Sequence, residues 1–151
     1  MPVFELIQDL PIFPAVSYAR EDGLLAVGGD LSESRLVEAY KNGIFPWYEE
    51  GQPILWWSPD PRLVLYPENL KVSRSLRKTL RKEIFISRIN SAFDRVIDAC
   101  AETRLSRGDR TWITEDMKKA YGRLQRKGYA MSFESWADGE LVGGLLSLIH
   151  I

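Results

Sequence analysis

Residues 43–66 read GIFPWYEEGQPILWWSPDPRLVLY, and their chemistry divides the chain. Trp47, Tyr48, Trp56 and Trp57 stand among Pro46, Pro53, Pro59 and Pro61. Proline locks φ and lacks an N–H, so aromatics interleaved with it cannot share one regular helix. The stretch predicts proline-braced loops that close on a short strand at Arg62–Tyr66. Upstream, Pro2, Pro11, Pro14, Gly23, Gly28 and Gly29 break up residues 1–30 and predict loop. Asp30-Leu-Ser-Glu33 reads as a capping box with Asp30 as the cap. The helix behind it carries Leu36, Val37, Ala39 and Tyr40 on one face and stops at Gly43.

Downstream the pattern is more regular. Ser73 suits the cap of a helix running to about Lys82, and Ile84–Arg88 reads as a strand. A helix starting at Asn90 or Ser91 would bury Phe93, Val96, Ile97 and Cys100, and Thr103–Arg110 reads as a polar loop. Thr114, followed by two acids, suits a helix N-terminus. That helix buries Met117, Ala120, Tyr121 and Leu124 and ends at Gly128. Tyr129–Trp136 and Glu140–Leu145 flank Asp138-Gly139, a hairpin signal.

Composition narrows the function. The 151 residues are 45% hydrophobic and 27% charged, an ordinary globular balance. Twenty Lys+Arg against 21 Asp+Glu exclude a uniformly basic chain that coats nucleic acid or membrane. No apolar run reaches the roughly 18 residues of a transmembrane helix, and the acidic start MPVFELIQDLP does not read as a secretory signal, so no membrane partner is expected. The single cysteine, Cys100, allows no internal disulfide and fits a reducing, cytoplasmic setting. On its apolar helical face it reads as a small buried hydrophobe. No metal site is expected. The one histidine, His150, is the penultimate residue, and no Ser/His/Asp triad can be drawn without it. Gly28-Gly29-Asp30 lacks the phosphate-loop pattern. Ser58 and Asp60 are explained by turn chemistry around Pro59.

Two features could carry chemistry. Arg74, Arg77, Lys78, Arg81 and Lys82 fall at i, i+3, i+4, i+7 and i+8, which is one helical face. Leu76 and Leu80 lie opposite, on the side expected to be buried. Like charges gathered this way suit the phosphates of a nucleic-acid backbone, or form a solvated basic face. Trp47 either stacks on a base or fills the core, and Trp112 in Thr111-Trp-Ile-Thr114 has the same two readings.

Several segments together carry a resemblance: GLLAVGGDLS (23–32), RLVEAYKNGIFPWY (35–48), PILWWSPDPRLVL (53–65), VSRSLRK (72–78), FDRVIDACA (93–101), TWIT (111–114), AYGRL (120–124) and DGELVGG (138–144). From Gly23 to Gly144 the chain resembles the leucyl/phenylalanyl-tRNA–protein transferase family. GIFPWY followed by ILWWSPDPR is its most specific mark. The resemblance implies an α+β fold. A small N-terminal α/β domain, 1–61, precedes the first part, 62–145, of an incomplete GNAT-like mixed α/β domain. It implies transfer of Leu, Phe or sometimes Met from aminoacyl-tRNA to proteins with N-terminal Arg or Lys, marking them for N-end-rule degradation in bacteria, with no cofactor.

The resemblance also implies site roles. Trp47 and Trp112 match tryptophans around the terminal adenosine of the tRNA. Arg74, Arg77, Lys78, Arg81 and Lys82 match a basic cluster facing the tRNA body. Leu145 matches a Met or Leu lining the aminoacyl pocket. Ser132, Glu134 and Trp136 match a S-x-E-x-W strand, where a structural role is expected. After ELVGGL the family continues through a G-E-S-M-F-S segment, a D-x-Q strand and an H-x-x-S-L-G-A segment, and LSLIHI stands here instead. Residues 146–151 are therefore expected to be a non-native tail, and His150 to belong to no enzyme. The catalytic groups are expected in the family's later part, so no residue here is assigned a catalytic role. The chain by itself is expected to be inactive, with an open edge along Glu140–Leu145 and a tendency to aggregate. The alternative is a tRNA-binding module without catalysis.

Overall fold

In the computed structural model, which describes residues 3–106, 108 and 110–148, two sheets share one apolar core. The first has the order β1–β2–β4–β3. Its strands are β1 (Phe4–Leu6), β2 (Leu24–Gly28), β3 (Phe45–Pro46) and β4 (Leu55–Trp57). β1 lies parallel to β2, and β4 pairs antiparallel with both β2 and β3. β1 and β2 fall where proline and glycine predicted only loop. Those breakers bound the strands, which are short enough to fit between them.

Helix α1 (Glu33–Lys41) buries Leu36 and Ala39 and, unforeseen by its polarity, Arg35. Its cap is Ser32, whose side chain accepts from the Arg35 N–H, and not Asp30. Asp30 instead accepts from the Ser32 N–H at 2.8 Å and from the Arg35 guanidinium at 3.1 Å. The Arg35 charge draws the carboxylate away from the capping position.

The second sheet has the order β5–β6–β7, all antiparallel, with β5 (Ile86–Ile89), β6 (Ala130–Ala137) and β7 (Glu140–Leu148). Asp138 (φ 51°) and Gly139 (φ 83°) make the tight turn that the Asp-Gly pair predicts. Helices α3 (Phe93–Leu105) and α4 (Glu115–Arg126) pack on one face, and Thr114 caps α4 as expected. β7 continues through Leu146–Leu148 by pairing with Ser132, Met131 and Ala130. That part of the expected tail is therefore strand, while His150 lies outside the described residues. The mixed architecture is α+β, as the resemblance implies.

Two expectations fail for one reason, the lack of a partner surface. Arg62–Tyr66 forms no strand, and Leu63 is 99% exposed. β-Propensity without a neighbouring ladder makes no sheet. Helix α2 (Arg74–Arg81) forms behind its Ser73 cap, yet buries nothing. Leu76 and Leu80 are exposed, because no described element covers the apolar face of α2.

Candidate nucleic-acid interface

The tryptophans of residues 43–66 sort by their hydrogen bonds. Trp56 is fully buried in the core, and its indole donates to the Gly28 carbonyl at 2.9 Å. Trp57 donates to the Trp47 carbonyl at 2.8 Å, and the Trp47 N–H donates to the Leu55 carbonyl at 2.9 Å. Both bonds pin the Trp47 backbone. The residue, just beyond β3, is 50% exposed.

The Trp47 ring stacks on Trp112, with centroids 5.8 Å apart and planes 29° from parallel. Trp112 meets Tyr121 edge-on at 5.9 Å. The Tyr121 hydroxyl in turn hydrogen-bonds that of Tyr40 on α1. Burial pushes the Tyr40 phenol up to about 12 and the Tyr121 phenol well above its ordinary value, so both stay neutral. An aromatic series thus runs from solvent inward. A second tie between the sheets joins the Tyr48 hydroxyl to Thr114 Oγ1 at 3.4 Å.

Two spaces flank Trp112. An apolar cavity of about 260 Å³ lies beneath the stack, among Phe45, Phe93 and Leu146. A cleft of about 670 Å³ between α3 and β7 is lined by Cys100, Thr111 and Leu145. Burial raises the Cys100 thiol, which disfavours a reactive thiolate.

The structure brings together some of the sequence-predicted residues. Trp47 and Trp112 are in contact. Leu145 is not beside them: it is 62% exposed and sits across from Phe133 on the outer face of the sheet, at the larger cleft. Its neighbour Leu146 lines the cavity under the tryptophans. Arg74, Arg77, Lys78, Arg81 and Lys82 are all exposed on α2 and its C-cap, a separate element. None of the five makes an ion pair among the described residues.

Other polar residues serve the frame. Glu134 is 2% exposed, and its carboxylate accepts from Ser91 Oγ, from Ala92 N–H at 2.8 Å, from Ser132 Oγ at 2.8 Å and from the Trp136 indole at 3.1 Å. Burial alone would raise this acid, but the four donors hold it at about 2. Glu134 thereby ties the start of α3 to β6. Arg35 is fully buried and donates to the Ile7 carbonyl at 2.6 Å as well as to Asp30. Sequence reasoning missed Arg35; its one signal is an arginine one residue before the core position Leu36 and four before Ala39. Among the described residues no group of three or more His, Cys, Asp or Glu could hold a metal, and no helix is long and apolar enough to cross a membrane.

Two sheets on a common core, an exposed basic helix and a half-exposed tryptophan stack over an apolar cavity define an α+β protein with an aromatic cradle. The chain belongs to the leucyl/phenylalanyl-tRNA protein transferase family. That family's profile matches residues 64–150, and the profile of its N-terminal domain matches residues 29–60. Relatives bearing the name leucyl/phenylalanyl-tRNA–protein transferase include one from Syntrophobacter fumaroxidans, 61% identical over 145 residues, which are 96% of this chain and 62% of the relative. Another, from Desulfatibacillum aliphaticivorans, is 56% identical over 145 residues, again 96% of this chain and 62% of the relative. One from Chromobacterium violaceum is 58% identical over 137 residues, 89% of this chain and 58% of the relative. The chain spans about three-fifths of the length of these relatives.

Proposed function

We propose that the chain receives the acceptor end of an aminoacyl-tRNA, as part of an aminoacyl-tRNA–protein transferase. The observation that carries this reading is the Trp47–Trp112 stack, half open to solvent and backed by Tyr121. A tryptophan exposed this far yet pinned through its backbone offers a flat, polarizable face to an unpaired base. The terminal adenosine of the tRNA stacks there. Arg74, Arg77, Lys78, Arg81 and Lys82 contact the tRNA backbone, and Leu145 stands at the rim of the aminoacyl cleft. Residues 1–61 act as the N-terminal domain, and 62–145 as the first part of a GNAT-like domain.

The reaction of the whole enzyme is acyl transfer. The α-amine of an acceptor protein, with Arg or Lys at its N-terminus, attacks the ester carbonyl that joins Leu, Phe or Met to the ribose; the amide C–N bond forms, the ester C–O bond breaks, and the ribose oxygen leaves as a hydroxyl with the proton the amine gives up. The ester is already activated, so positioning supplies much of the rate. The setting is the cytoplasm, where tRNA and acceptor meet. We assign tRNA binding to the described residues, and the transfer step to none of them. The test uses charged tRNA and an Arg-N-terminal peptide, with the 151-residue chain compared against a full-length relative. The relative transfers Leu or Phe, and the 151-residue chain binds the tRNA without transferring. Transfer by the chain alone would refute the division of labour, and absence of tRNA binding would refute the reading itself.

A further inference from the structure

Two arginines from different elements converge on one indole. The guanidinium carbon of Arg88, on β5, lies 4.9 Å from the Trp136 ring centroid, and that of Arg95, on α3, lies 5.2 Å from it. Trp136 is buried on β6, so the fold fixes the platform first and the two cations are held against it. Two guanidiniums this near one ring gather positive charge there, each held by cation–π attraction to the indole.

The nearby acids do not neutralise the pair. Glu134 pairs with Arg88 in the strand register, but its carboxylate is taken up by Ser91, Ala92, Ser132 and Trp136. Glu140 approaches Arg95 only to 3.9 Å, with both side chains more than half exposed. Arg88 is exposed and has no ion-pair partner among the described residues. A guanidinium presents a planar fork of N–H donors that binds phosphate oxygens in pairs. Arg88 also follows closely in the chain after Lys82, the end of the basic stripe.

We propose that Arg88 and Arg95, organised by Trp136, form a second contact point for the sugar-phosphate backbone of the RNA that α2 engages. The proposal rests on the tRNA reading above. Its test is the binding of purified, unacylated tRNA to the 151-residue chain over a KCl series. Each phosphate contact contributes roughly 0.7–0.9 to the slope of log K against log salt. The variant R88A/R95A should lower that slope by about 1–2 and weaken low-salt binding about tenfold. The charge-preserving R88K/R95K should keep the slope, which separates lost charge from lost folding. A single R88A, at an exposed edge-strand position, should lower the slope by about one. An unchanged slope in R88A and R88A/R95A, with R77E/R81E still weakening binding, overturns the inference alone. No effect of any of these changes, R77E/R81E included, overturns the tRNA reading. Polyglutamate displacing tRNA from the wild-type chain but not from R88A/R95A would assign the pair to acidic polypeptide and overturn the inference as well.

Discussion

The Tyr40 hydroxyl on α1 and the Tyr121 hydroxyl on α4 hydrogen-bond one another, so the helix beside the first sheet is tied to the helix beneath the Trp47–Trp112 stack. Tyr40→Phe or Tyr121→Phe leaves the other hydroxyl without its partner, at a cost of about 1–2 kcal/mol. The double variant should cost clearly less than the sum, since no polar group is then stranded. Urea denaturation of the three variants measures the coupling. Strict additivity would mean that the bond contributes nothing.

Glu134 makes the fold acid-sensitive. Its folded-state value of about 2 lies below the ordinary 4.5, so its contribution is complete above pH 4.5 and is lost as pH falls toward 2. The contribution is on the order of 2–3 kcal/mol. Glu134→Gln should lower Tm at pH 7 and flatten the decline between pH 4.5 and 2.5. Thermal melts across that range check it, and parallel acid limbs in the two proteins would contradict it.

Gly29 holds φ +72°, and a Cβ there would lie 2.9 Å from Arg35 Cζ. Gly51 holds φ +78° with nothing within 4 Å of its would-be Cβ. Gly51→Ala therefore reports backbone strain alone, about 1 kcal/mol. Gly29→Ala adds displacement of a buried guanidinium whose Nε and Nη1 already lack partners, and should cost about 1–3 kcal/mol more. Equal losses in chemical denaturation would show that Arg35 yields freely.

Leu76 and Leu80 are exposed, and Ile89, Phe133 and Leu145 form an exposed apolar row across the second sheet. Such a surface favours association. Leu76→Glu with Leu80→Glu should change stability by no more than about 0.5 kcal/mol, since neither side chain is buried. Sedimentation should show less self-association than wild type. A large stability loss would mean that α2 packs through this face.

What the sequence made legible is what neighbouring residues decide. The caps Ser73 and Thr114, the Asp138-Gly139 turn and the buried stripe of α4 follow from chemistry within a few positions. β1 and β2 were hidden because their pairing comes from distant strands and local glycine and proline outweigh it. Leu76 and Leu80 have the right helical period, but burial needs a second surface, which a period does not report. Among the candidate-site residues, local pattern could not separate Trp47 from Trp56. One stacks on Trp112, far along the chain, and the other donates to Gly28 inside the core. The resemblance singles out Trp47 and Trp112, which periodicity does not. It did not anticipate that Leu145 faces outward while Leu146 lines the cavity.

The central claim is that Trp47 and Trp112 face a ligand and are not core filling. The direct measurement is binding of tRNA to wild type and Trp47→Ala, with and without the terminal adenosine, alongside thermal melts. Stacking on a base is worth about 1–3 kcal/mol. Trp47→Ala should therefore weaken binding of intact tRNA about tenfold, leave binding of tRNA lacking the adenosine unchanged, and keep Tm near wild type. A Trp47→Ala protein that unfolds, or one that binds both RNAs as wild type does, would contradict the account.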